Sequence, residues 1–182
     1  MPPSAEEAAQ ALRDIAAINA RAAGFQDYQA ESNQLILWGS VHVIGFVLTA
    51  LFPHFLLSIW VPLIVLGLAG GAVLAARAAP LLPGIVWRYL VVIGTILLFH
   101  ILINIIMWPV ARPQGTLVGP LLVCTLYVFR GVHLRPRYFL IGVLVATLCL
   151  IGYAFFLDHF WWWMAFAYGG SFVLFGLWLR PR

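Results

Sequence analysis

The chain has 182 residues, of which 64% are hydrophobic and 9% charged, and its formal net charge is +4. Soluble domains carry about a quarter charged residues, so the composition excludes a soluble globular fold and makes lipid the solvent for much of the surface. The basic excess is not a nucleic-acid signal: residues 1–34 hold Glu6, Glu7, Asp14, Asp27 and Glu31 against Arg13 and Arg21, a net −3, and the rest holds eight Arg against Asp158 alone, a net +7.

Residues 1–34 form the expected cytoplasmic segment, with one amphipathic helix over 4–31. Ser4 and Glu7 have capping-box spacing, which satisfies free N–H groups at a helix start. Ala8, Ala11, Ile15, Ile18, Ala22 and Phe25 recur at intervals of three and four and draw a thin apolar stripe. Such a helix is weak alone and needs a surface. No basic stretch followed by an apolar core marks a cleavable signal peptide, so the first apolar segment is expected to direct insertion and stay in the product.

Residues 35–182 predict an all-α membrane domain of six transmembrane helices, about 35–52, 55–76, 89–108, 116–132, 138–157 and 160–179. Each approaches the ~20 residues that cross ~30 Å of hydrocarbon. The fourth is the shortest, because Pro120 and Arg130 crowd it. Arg13, Arg21, Arg77, Arg88, Arg130, Arg135, Arg137, Arg180 and Arg182 fall on one face and Arg112 alone on the other. The positive-inside rule then puts both termini in the cytoplasm. Trp161, Trp162 and Trp163 read as an interfacial girdle. Two hairpins share a His-Phe turn (His54-Phe55, His159-Phe160) and a Gly-Gly-small return (Gly70-Gly71-Ala72, Gly169-Gly170-Ser171), which suggests an internal repeat.

Helices in lipid associate through small and polar residues. Trp38, His42, Gly45 and Thr49 form one such stripe, Gly67, Gly71 and Ala75 another, and Gly142, Ala146, Cys149 and Tyr153 a third. Cys124 and Cys149, within apolar runs, read as small buried hydrophobes.

His100 and Asn104 share a face of the third span. Polar groups at mid-membrane are costly unless paired. They are expected to make interhelical hydrogen bonds with His42, Thr49 or Tyr153, or to line a polar site. Counted from the hydropathic edges at ~1.5 Å per residue, His42 lies ~12 Å deep and His100 ~18 Å. That difference argues against the two holding one haem iron. At the outer face, His54, Asp158 and His159 are candidate metal ligands, with exposed turn residues as the plainer reading. The acidic N-terminal helix is expected to dock on the loops of Arg77, Arg88, Arg135 and Arg137.

Motifs for zinc hydrolysis, acyl transfer or phosphate binding are missing from the sequence, so no catalytic residues and no enzyme activity are expected. No cofactor is predicted outright, although two intramembrane His leave haem as a reading. The segment Leu35-Ile36-Leu37-Trp38-Gly39 follows a charged helix, and the chain ends in Leu177-Trp178-Leu179-Arg180 before its last two residues. In this the chain resembles small bacterial multi-pass inner-membrane proteins without assigned activity, a likeness that implies topology and bacterial inner-membrane location alone. Three functions remain: an accessory or regulatory subunit acting through helix association, a small oligomeric transporter or channel around His100 and Asn104, and a haem- or metal-binding protein. The expected partners are the bilayer and either a second copy or a membrane protein.

Overall fold

The structure, a computed structural model, describes residues 6–7, 10–16, 28–78, 84–133 and 136–180. Six membrane-length helices dominate: α1 Tyr28–Leu51, α2 Leu56–Ala78, α3 Ile85–Ile106, α4 Arg112–His133, α5 Pro136–Phe155 and α6. The last runs as α-helix over Phe160–Met164, π-helix over Ala165–Gly170 and α-helix over Ser171–Leu179. A 3₁₀ turn, Leu157–His159, leads into it. These six are long and apolar enough to cross a membrane, and no strand occurs among the described residues. The protein is an all-α, multi-pass integral membrane bundle.

The helices form a ring. Consecutive helices pack on one another, and α6 closes the circle through an extensive contact with α1. Closure needs close backbone approach. A Cβ on Gly39 would stand 2.8 Å from both Gly169 O and Val173 N, and one on Gly169 2.6 Å from Val43 N. Those obstacles are main chain and cannot rotate away, so glycine at these crossings is what brings α6 onto α1. Ser32 Oγ fastens the same pair by donating to Gly176 O at 2.6 Å.

The core lies to one side. Phe46, Cys124, Ile141, Val145, Cys149, Phe160, Met164 and Phe172 join α1, α4, α5 and α6. Helix α3 stands outside this core with no buried residue. Both cysteines are free and buried.

Helix ends depart from the hydropathic edges. The fourth span, short by sequence, is a 22-residue helix. Pro113 follows Arg112 at its start, where a missing N–H and a fixed φ favour helix, and the helix continues through Pro120. Helix α1 starts at Tyr28, seven residues before the hydropathic edge at Leu35. Its polar first turns have partners inside the bundle: Glu31 with Tyr127 and Arg130, Ser32 with Gly176, Gln34 with Gly71.

Residues 6–7 and 10–16 are helical and exposed, and the rest of the 4–31 helix before Tyr28 lies outside the described residues. Arg77 and Arg88 are exposed, Arg135 lies outside the described residues, and Arg137 stacks over Trp178 at 5.1 Å. Among the described residues, Glu31 pairs with Arg130. Trp163 stacks on Phe156 at 4.3 Å and donates to Leu148 O, Trp161 packs on Phe46, and Trp162 is exposed.

Candidate functional site

A cavity of about 640 Å³ lies beside the core, which supplies Phe46, Tyr168 and Phe172 to its lining. Helices α1, α2, α3 and α4 wall it, with Tyr168 and Phe172 of α6 completing the lining. Along α1 it runs from Gln34 to Phe46, a length of ~18 Å at ~1.5 Å per residue. Its size is that of small-molecule and cofactor sites, ~300–1,000 Å³. Aliphatic side chains such as Ile64, Ile96 and Val123 make up much of the wall, and His42 and His100 both border it.

Helix α1 presents His42 to the cavity amid aromatic rings. Tyr168 meets it edge-on at 4.8 Å, Trp60 lies at 5.7 Å, Phe46 at 5.9 Å and Trp38 at 6.1 Å. Tyr168 sits in the π-helical stretch of α6, and such insertions recur at functional sites because the wider turn re-aims side chains. The Nδ1 of His42 lies 2.7 Å from Trp38 O. A carbonyl only accepts, so Nδ1 carries the proton and Nε2 keeps its lone pair.

His100, on α3, packs across to α4, where a Cβ on Gly119 would be 3.0 Å from its Nδ1. That Nδ1 is buried without a hydrogen-bond partner. The neighbouring Asn104 is engaged: its Nδ2 donates to His100 O at 2.9 Å and across to Gly115 O of α4 at 3.3 Å. The two residues of the sequence stripe thus separate. Asn104 ties α3 to α4, and His100 faces the cavity.

His42 stands 14 residues past Tyr28 and His100 15 residues past Ile85. Hydrogen bonds to α2 set the stagger of the two helices: Gln34 Nε2 donates to Gly71 O at 2.8 Å, and the Tyr89 hydroxyl to Gly67 O, one α2 turn away, at 3.2 Å.

Three buried side-chain polar atoms lack partners among the described residues: Gln34 Oε1, Trp38 Nε1 and His100 Nδ1. All three residues line this one cavity. Trp38 Nε1 neighbours the Tyr89 hydroxyl but completes no hydrogen bond with it. Near the start of α1, three side chains meet at one end of the cavity. Tyr127 OH donates to Glu31 Oε1 at 2.7 Å, Arg130 pairs with Glu31 Oε2, and Arg130 lies over the Tyr138 ring at 4.8 Å.

The remaining sequence candidates lie elsewhere. Thr49 donates to Gly45 O and accepts from Trp60 Nε1 at 3.1 Å. Tyr153 accepts from Gln114 at 2.8 Å, between α5 and α4. His54, Asp158 and His159 are exposed on their turns, and no group of three or more metal-ligating residues occurs among the described residues. Sequence reasoning passed over Gln34, Tyr127 and Tyr168. Gln34 and Tyr127 carried a legible signal, as polar groups near span ends. Tyr168 carried none, since a π-helical turn leaves no periodicity to read. No protein family, curated protein or solved structure matches the chain.

Proposed function

We propose that this protein, placed in the bacterial inner membrane with both termini cytoplasmic, binds a largely apolar small molecule in the cavity of its helix ring. One observation carries the reading: a largely apolar cavity of about 640 Å³ lies between α1, α2, α3 and α4 with His42 and His100 on its border, in the size range of small-molecule sites. Nothing in the arrangement resembles a catalytic pair, so binding is the activity proposed. Purification in mild detergent followed by solvent extraction and mass spectrometry tests it. A defined molecule recovered from wild type, and displaced by the cavity-filling change Ile96→Trp, is the expected result. Recovery of detergent and bulk lipid alone, the same in both proteins, would overturn it.

A second reading is an accessory subunit whose N-terminal helix contacts a partner. Leu12 and Ile15, exposed at 67% and 53% on the helical residues 10–16, support it. The small-residue stripes within the membrane do not: Gly67 packs on Trp38, Gly71 on Tyr89, and Gly142 on Cys124 and Val128, so they are consumed inside the chain. Co-purification of one defined protein, lost on deleting residues 1–30, is the outcome that this reading requires.

A further inference from the structure

We infer that the occupant is a prenylated hydroquinone, one phenolic hydroxyl of which donates to Nε2 of His42. The inference rests on the ligand-binding reading and narrows it to one chemical class.

His42 is the group that selects the ligand. Its Nδ1 proton is committed to Trp38 O at 2.7 Å, so Nε2 is an acceptor and cannot donate. His42 makes no second hydrogen bond among the described residues, and its Nε2 is not one of the enclosed atoms that lack a partner. That nitrogen is therefore open, and the open space bordering His42 is the cavity. His100 differs, because its unpartnered Nδ1 is packed against Gly119 of α4 and takes no part. A lone pair in an apolar cavity recognises an occupant that carries a hydrogen-bond donor, and one without a donor leaves it unsatisfied.

The surroundings of His42 suit a flat ring. Trp38, Phe46, Trp60 and Tyr168 pack on it with centroids 6.1, 5.9, 5.7 and 4.8 Å away, and all four line the cavity. Aromatic rings attract one another edge to face or offset-stacked, so a phenolic ring at Nε2 has partners for its faces and its edge. The walls beyond are aliphatic, with Ile64, Ile96 and Val123, and accept a hydrocarbon tail. Val92 of α3 and Leu126 of α4 line the cavity and yet are 51% and 42% exposed. These helices are adjacent in the ring, and a tail longer than the cavity leaves between them into lipid. The far end suits no tail. Arg130, paired with Glu31, borders it, and Gln34 there is eight residues from His42, or ~12 Å along α1. The ring therefore belongs at the His42 end. Binding forms one hydrogen bond and transfers no electron. The oxidised form, a quinone, carries carbonyl acceptors in place of hydroxyls, so the site prefers the reduced form.

The test is equilibrium binding of radiolabelled decylubiquinol and decylubiquinone to the full-length protein in nanodiscs under argon. The decyl chain stands for the prenyl tail, and empty nanodiscs supply the correction for partition into lipid. Wild type is expected to bind the quinol saturably at one per chain, and the quinone about tenfold more weakly, the effect of one hydrogen bond. His42→Phe keeps a ring and removes the acceptor. It should lower quinol affinity to that of the quinone and erase the preference, and His54→Ala should keep it. Helical circular dichroism and a monodisperse elution profile establish that each variant is folded. Equal affinity of wild type for the two forms would overturn the inference whatever the variants do, as would no saturable binding of the quinol, or a preference that survives His42→Phe. Solvent extraction of the same protein separates the two readings. A molecule without a phenolic hydroxyl, such as a phospholipid, recovered from wild type and displaced by Ile96→Trp, sinks the hydroquinone site and leaves ligand binding standing. Failure of both assays sinks both.

Discussion

Glu31 and Arg130 form an ion pair at one end of the cavity, from helices α1 and α4 that are not neighbours in the ring. Tyr127 donates to the same carboxylate, so one acid joins two groups of α4. Arg130 is 41% exposed and Glu31 16%, which puts the pair between a screened surface contact and a buried one. Glu31→Gln should cost about 1 kcal/mol, because the amide oxygen still accepts from Tyr127. Arg130→Gln should cost a similar amount. The double variant should cost less than the two together, since both changes remove one interaction. Thermal unfolding in detergent measures this, and strict additivity would show that the pair contributes nothing.

His100→Leu should stabilise the ligand-free protein. The change removes a buried nitrogen with no partner and keeps an apolar side chain against the cavity, a gain of about 1 kcal/mol. Groups kept for function commonly oppose stability in this way. A lower melting temperature for the variant, with no ligand bound, would mean that His100 has a structural role.

Asn104→Leu should act in the opposite direction. The side chain supplies the hydrogen bond from α3 to Gly115 O on α4, and α3 has no buried residue to compensate. Interhelical hydrogen bonds in membranes are worth ~0.6–2 kcal/mol. Unfolding in detergent should show a loss in that range, and unchanged stability would refute the assignment of Asn104 as the α3–α4 tie.

Two glycine substitutions should differ in sign. Gly39→Ala places a methyl 2.8 Å from main-chain atoms of α6 and should separate α1 from α6, with a loss of more than ~1 kcal/mol, as overpacked sites show. Gly94→Ala meets nothing within 4 Å and should stabilise by up to ~1 kcal/mol through helix propensity. Melting temperatures of the two variants in one detergent decide the matter. Equal effects would contradict the packing described for the ring.

Orientation is accessible to labelling. Because nine Arg fall on one face, His54→Cys should react with a membrane-impermeant maleimide from outside intact cells, and Ala76→Cys only after lysis. Cys124 and Cys149 are buried and give a low background. The reverse pattern would invert the topology.

Hydrophobicity and charge determined what the sequence alone could determine. Solvent chemistry acts on each segment independently, so six runs of apolar residues specify six spans whatever their neighbours. Helix ends were less legible. Glu31, Ser32 and Gln34 are polar, and only their partners on α4, α6 and α2 make them helix within the bundle. The sequence stripe also joined His100 to Asn104, because spacing along one helix records which residues share a face and not what lies opposite. Tertiary structure decided the cavity. It exists because Gly39 and Gly169 let α6 close on α1 and because α3 stays outside the core. Such contacts link residues more than a hundred positions apart, and no local pattern in the chain encodes them.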